Sequence, residues 1–305
     1  PISMKALATF GQGDVWACST PSGHNWFWNN CQLAEDRENM ASWTIPALGC
    51  TIDENDQLVR TPHPYENPFY AFSDLQDAFE TMPRRKFRVE LLAEFLDDDG
   101  SQFRNVDAVS VLSVKAADAH GWYNIGVDIG ITHDYTVLSV VDTRTAEQVF
   151  LKRFNGLSWD YVYDAIVGVA KNYPGRVYVD ATGAGSHVPM ELGRRGLSCE
   201  AIKFTSGNKC DMYDHLAVLI EHNRLKLLDD PIQKRELKRC QRTKTPLGNI
   251  QIGAPPGQHD DTVAALVLAT HNYHPVLRAD AAQGKFPVTP PKHRHDKEAM
   301  SLSAW

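Results

Sequence analysis

Three β-rich runs in succession, WYNIGVDIG, TVLSVVD and EQVFLKRF, are separated only by short polar turns, and no other feature limits the fold of this chain as much. Such a series reads as a meander of adjacent antiparallel strands. After it the periodicity changes. SWDYVYDAIVGVAKNY has helical spacing, with Ser158 as its cap and a stop before Pro174, and strand RVYVD, helix SHVPMELGRRG and strand CEAIKF follow. Three sequential strands that switch to helical crossovers predict an α/β fold, a mixed β-sheet flanked by helices on both faces. The first strand is then central and the fourth lies beside it. Helices DMYDHLAVLIEHN and PIQKRELKRC, a hairpin around PLGN and helix DDTVAALVLATHNY complete the region 121–274.

Upstream the character differs. Residues 1–105 are rich in Pro, Asn and aromatic side chains and read as part of another domain; a length of 305 residues suits about two. DVWACSTP and SWTIPAL are strand candidates, and the HPYENP run between them and the next helices resists both helix and central strand. Ser73 is the expected N-cap of SDLQDAFETM, and Pro83 opens a second helix over PRRKFRVELLAEFL. Residues 106–120 are small and weakly patterned, as a linker would be. Residues 275–305, with FPVTPPKHRHDK, are expected to be a flexible tail.

Composition excludes several classes. No apolar stretch reaches the roughly 20 residues of a membrane span, and the N-terminus lacks the layout of a signal peptide, so a cytoplasmic protein without membrane contact is expected. The six cysteines are scattered, with no CxxC pair and no histidine at zinc-finger spacing, and read as reduced thiols. A formal net charge of −7 gives no general attraction to nucleic acid, so any such contact needs a local basic surface.

Acids mark the element ends. Asp128 closes the first strand, Asp180 closes RVYVD, and Asp260 and Asp261 open the last helix. Neighbouring strands bring Asp128 and Asp180 together, and two like charges then need a cation. Mg²⁺ or Mn²⁺, held by carboxylates and substrate phosphate, suits such a cluster. A pair of ions about 3.5–4 Å apart would serve phosphodiester hydrolysis by in-line attack of an activated water. Asp134, in a turn, is a candidate to hold the metal or to support its ligands, and His259, beside the acidic pair, is a candidate to orient a water or a phosphate. Thr182, Gly183 and Gly185 would either let backbone approach a phosphate or simply form a strand-to-helix turn. Lys234, Arg235, Lys238, Arg239, Arg242 and Lys244 surround the single acid Glu236 and form the best candidate for a DNA-backbone contact, extended by Arg194, Arg195, Lys203 and Lys209. A solvated helix face would look the same.

GVDIGITHDYTVL, VYVDATGAG and HDDTVAALVLA, in this order, resemble the nuclease domain of viral (tailed bacteriophage) terminase large subunits. CSTPSGHNWFW resembles the segment after their ATPase core, where Ser19 and Thr20 would couple ATP hydrolysis to movement. ENPFYAF and FRVELLAEFLDDDGSQF resemble their linker subdomain. The resemblance covers about residues 7–274. It implies an RNase H-like nuclease domain preceded by a partial P-loop ATPase C-terminal segment and linker subdomain. It further implies a metal-dependent endonuclease that cuts concatemeric viral double-stranded DNA during packaging in the host cytoplasm. The terminase small subunit, the portal protein and a homo-oligomer on the portal are the implied partners. Asp128, Asp180 and Asp261 would be catalytic, with Asp260 the other candidate ligand. GxxxxGK[ST] is absent, so ATP turnover is expected only with further upstream sequence, of which this chain looks like the C-terminal continuation. Three rivals remain: a Holliday-junction-resolvase-like nuclease, an actin-like ATPase resembling GVDIGIT and VDATGAG, and a non-catalytic DNA-binding assembly module.

Overall fold

The computed structural model describes residues 16–21, 26–96, 100–130, 134–245 and 250–274. The expected tail, 275–305, and the PLGN turn lie outside the described residues. The chain divides into a large unit, Pro1–His271, and a second unit from Asn272 onwards. All of its described strands and helices lie in the first.

The N-terminal part is built from helix α1 (Trp26–Asp36), strands β1 (Cys50–Ile52) and β2 (Leu58–Arg60), and helices α2 (Phe72–Thr81) and α3 (Arg84–Glu90). Leu48, Cys50, Leu75, Phe79, Phe87 and Leu92 form its core. Several expectations need correction here. Residues 16–21 form no strand; Ser19 and Thr20 are exposed, and the Ser19 hydroxyl donates to the Thr20 carbonyl, 3.1 Å away. A strand needs a ladder partner, and Trp16 instead stacks on Trp43. SWTIPAL is likewise not a strand, since Pro46 has no N–H for a ladder and pairing starts only at Cys50. Ser73 is not the cap of α2: Ala71 takes that position, and its N–H donates to the Asp74 carboxylate at 3.1 Å. Helix α3 ends at Glu90, and Ala93, at φ +56°, turns the chain away.

Glu66 ties this part together. Its carboxylate accepts from Arg60 at 2.5 Å and from the backbone N–H groups of Gly49 and His63 at 3.0 and 3.1 Å. The Arg60 guanidinium and these N–H groups hold its pKa at about 2, against an ordinary 4.5. A lowered folded-state pKa means stability that is present above 4.5 and lost as pH falls towards 2. Glu66→Gln should therefore flatten the acid limb of the unfolding profile followed by circular dichroism between these values; an unchanged limb would contradict the assignment.

Residues 106–112 are not a linker. They form helix α4 (Val106–Val109) and strand β3 (Ser110–Leu112), with Val106 3% and Val109 0% exposed. Elements this short show no readable period, so the sequence conceals their burial.

The meander is present as strands β4 (Tyr123–Asp128), β5 (Thr136–Asp142) and β6 (Glu147–Phe154). Helix α5 (Trp159–Asn172) comes next with Ser158 as its cap, then strand β7 (Gly175–Asp180), a 3-10 turn (Gly183–His187), helix α6 (Val188–Arg194) and strand β8 (Glu200–Ile202). The five strands lie in the order β6-β5-β4-β7-β8, with β4 antiparallel to β5 and parallel to β7. This mixed sheet with β4 central and β7 beside it is the expected one. An actin-like enzyme needs two such domains around its nucleotide; the described residues contain one.

Helix α7 (Ser206–Glu221), strand β9 (Leu227–Leu228), helix α8 (Pro231–Arg239), the antiparallel pair β10 (Gln241–Lys244) and β11 (Ile250–Gly253), and helix α9 (Asp261–Ala269) complete the fold. Strand β9 pairs with β3 in parallel. Ile125 and Val127 pack with Val162, Ile166, Val188 and Leu192 of α5 and α6 on one face of the sheet. Helix α9 covers the other face over β4 and β5. Because α9 is apolar all round, it is buried all round, and each leucine stabilises the fold by about 1.5–3 kcal/mol.

Candidate metal centre

Val127 lies opposite Val179 in the parallel β4–β7 pair, so Asp128 and Asp180 leave the sheet side by side at its C-terminal edge. Asp128 touches solvent on one side, but protein packs round its carboxyl group. Burial pushes that carboxyl well above the ordinary 3.8, and Asp180, Asp261 and Asp260 push it further, with Lys209 opposing them. One Asp180 oxygen accepts the Thr182 N–H at 2.7 Å, which fixes the side chain at the start of the turn. Gly185 in that turn has no room for a Cβ, which would lie 2.0 Å from the Asp180 carbonyl oxygen. The glycine therefore serves to fold the turn back onto the strand end.

Asp261 is 8% exposed in the first turn of α9. Its Oδ2 accepts the Tyr135 N–H at 3.3 Å, and His259 Nδ1 lies 3.7 Å away. Its pKa is pushed up to about 6 by burial, despite the Tyr135 N–H and His259, with Glu236 and Asp134 adding to the rise. Asp134 and His259 lie beside Asp261. One ligand atom from each of Asp134, His259 and Asp261 falls within 4.8 Å of the others, a spacing that fits a single cation. His259 Nδ1 is 3.5 Å from Asp134 Oδ1.

Asp260 occupies the N-cap position of α9 without capping it through its side chain. Its carboxylate turns towards Tyr213, whose hydroxyl lies 3.5 Å away, and lines a cleft of about 700 Å³ that Lys209 also borders. The cap comes instead from Glu236 of α8: Oε2 accepts the Thr262 N–H at 2.9 Å and the Thr262 hydroxyl at 2.5 Å. Glu236 is therefore no member of a solvated face but a buried support for the helix that carries Asp261.

The basic segment divides. Arg235 is exposed, Lys234 pairs with Asp229, Lys238 reaches Asp107 at 2.7 Å, and Arg239 donates to Gln258 at 3.1 Å. Arg242 is withdrawn from any such surface, because it turns inward to Asp214 at 2.8 Å, where Gln102 also binds. The Lys244 side chain lies outside the described residues. Arg195 is held by Asp160, Asp164 and Glu191, and Arg194 by Glu191. Lys203 is exposed, whereas Lys209 faces the acids rather than extending a track.

Two residues at the centre escaped the sequence reading, Arg153 and Tyr135. The ladders run Asp128 opposite Val137 and Val137 opposite Arg153, so Arg153 is level with Asp128 on the α9 face. That register was the available signal, but a register shift between Val140 and Val141 hides it from simple counting.

Residues 125–273 match the family model described as the terminase RNaseH-like domain. The terminase large subunit of Thermus virus P23-45 is 28% identical over 96% of this chain, which spans 62% of that relative's length. The large terminase nuclease from thermophilic phage G20c is similar in structure, at TM-score 0.55 and 26% identity, over 57% of this chain and 100% of the nuclease. Its form with bound magnesium matches at the same TM-score over 58% of this chain.

Proposed function

We propose that this chain, whose residues 125–273 match the family model described as the terminase RNaseH-like domain, is the nuclease-bearing part of a terminase large subunit. It is a metal-dependent endonuclease that cuts concatemeric viral double-stranded DNA during packaging. The observation that supports the reading is the grouping around Asp128: its strand end lies beside that of Asp180, and Asp180, Asp261 and Asp260 join burial in raising its carboxyl. A buried carboxyl facing other acids, as that of Asp128 does, is disfavoured in its ionised form until a cation is bound.

The donor set fits one. It is rich in carboxylate oxygen, which suits Mg²⁺ or Mn²⁺, and the similar G20c nuclease is known with bound magnesium. Divalent ions bound there would lower the pKa of a water nucleophile and stabilise the leaving oxygen. Asp128, Asp180 and Asp261 hold the charge at the centre, with Asp134 and His259 on its open side. Asp260 and Lys209 border the neighbouring cleft, where a cation beside the acids would offset their repulsion of DNA phosphate. Thr182 and Tyr135 keep Asp180 and Asp261 oriented through backbone N–H groups. Lys234, Arg235, Lys238 and Arg239 offer a secondary contact to the DNA backbone.

In the packaging machine the partners would be the small subunit and the portal, with the protein acting as a homo-oligomer in the host cytoplasm. ATP-driven movement needs a phosphate loop, which this sequence does not contain. Among the described residues, no helix is long and apolar enough to cross a membrane.

Supercoiled plasmid incubated with the protein should be nicked and linearised with Mg²⁺ or Mn²⁺ and left intact with a chelator. Equal cutting in both conditions, or none with either metal, would overturn the proposal.

A further inference from the structure

Arg153 is a cation already lodged among the acids. Its side chain is 19% exposed, and Nη2 lies 3.7 Å from Glu236 Oε1 and 3.8 Å from Asp261 Oδ2. The guanidinium carbon sits 3.3 Å over the Tyr135 ring, and the buried Nε has no hydrogen-bond partner among the described residues. These features together identify a group held by stacking and by charge rather than by directed hydrogen bonds. A separation of 3.8 Å is too long for a hydrogen bond, so Arg153 acts on Asp261 through its field. The direction in which Asp261 points is set elsewhere, by the Tyr135 N–H and by its place in the first turn of α9. Glu236 is bound to Thr262 through its other oxygen and so remains a fixed anion to which Arg153 can retreat.

We propose that Arg153 is the resident counter-cation of the acid cleft: it partly neutralises Asp261 and Glu236 when no divalent ion is bound, and competes with that ion for Asp261. The proposal rests on the metal-centre reading above and adds to it a limit on affinity built into β6. Binding of an ion drives Arg153 off Asp261 towards Glu236, so part of the attraction for the metal is lost in displacing the guanidinium. A purely structural Arg153 predicts the opposite sign, since its loss would loosen the site and weaken binding.

Calorimetric titration of Mn²⁺ into the whole chain separates the two. Arg153→Gln should bind Mn²⁺ more tightly, by about fivefold or more, as expected for removal of a competing cation. Arg153→Lys, which keeps the charge, should stay near wild type. Unchanged or weaker binding by Arg153→Gln overturns the competition. Failure of the wild-type chain to bind Mn²⁺ at all would instead refute the metal centre itself. If Arg153→Gln does not fold, the Arg153 guanidinium nitrogen resonance in the wild-type chain, assigned by its loss in Arg153→Lys, provides the test. It should shift on saturation with Mg²⁺, and an unmoved resonance overturns the proposal.

Discussion

Asp128→Asn should abolish DNA cutting and at the same time make the metal-free protein more stable. Both effects have one cause. The carboxyl of Asp128 is desolvated and faces Asp180, Asp261 and Asp260, so its ionised form is disfavoured in the folded chain. Asparagine keeps the shape and removes the charge. Losing an outer hydrogen-bond partner costs metal sites about 10–100-fold in affinity or activity, and losing Asp128, the proposed central ligand, should cost more than that upper value. The stability gain has a definite pH dependence. A folded-state pKa raised above 3.8 gives stability that is present below 3.8 and lost as pH rises through the folded value. Asp261, raised to about 6, loses its share over the window from 3.8 to 6. The wild-type metal-free chain should therefore weaken as pH climbs from about 4 to above 6, and Asp128→Asn should weaken less. At neutral pH the variant should melt higher by roughly 2–4 °C, the shift that 1 kcal/mol produces in domains of about 150–250 residues. A variant that still cuts at saturating Mg²⁺, or that melts lower without metal, would contradict this.

The second large effect is at Gly126. A Cβ there would meet the Ala265 carbonyl oxygen at 2.0 Å and the Ala269 nitrogen at 2.4 Å, both backbone atoms of α9. Backbone in the middle of a buried helix cannot give way as a side-chain tip can, so Gly126→Ala must push α9 off the sheet. Overpacking of this kind costs about 1–3 kcal/mol and occasionally more, and about 3 kcal/mol is expected here. Asp261 begins α9 while Asp128 is two residues from Gly126 on the same face of β4, so the displacement also separates the acids. Urea unfolding should show the loss of stability, and calorimetry a matching loss of Mn²⁺ affinity. Retention of wild-type stability would mean that α9 does not rest on Gly126.

The sheet was legible because its signals are local. Each strand of the meander is a dense apolar run, Ser158 and Pro174 bracket α5, and the change to crossovers fixes β7 beside β4. Asp128, Asp180 and Asp261 stand out in the sequence for the same reason, since each ends or begins a strongly patterned element; that they hold a metal is the proposal made above. What failed depends on tertiary partners. Val106 and Val109 are buried by elements that come more than a hundred residues later, which no local pattern encodes. Ser73 lost the cap to Ala71 because the Asp74 carboxylate satisfies the Ala71 N–H. Glu236 looked like a stray acid in a basic helix because its partner, Thr262, is 26 residues away. Arg242 looked like part of a DNA track for the same reason, its partner Asp214 lying on α7.

The most direct test of the metal centre is a crystal of the whole chain soaked in Mn²⁺ and measured for anomalous scattering. Manganese peaks ligated by Asp128, Asp180 and Asp261 at the C-terminal edge of β4 and β7 are the predicted result. Peaks absent from that edge, or ligated only by acids elsewhere, would contradict it.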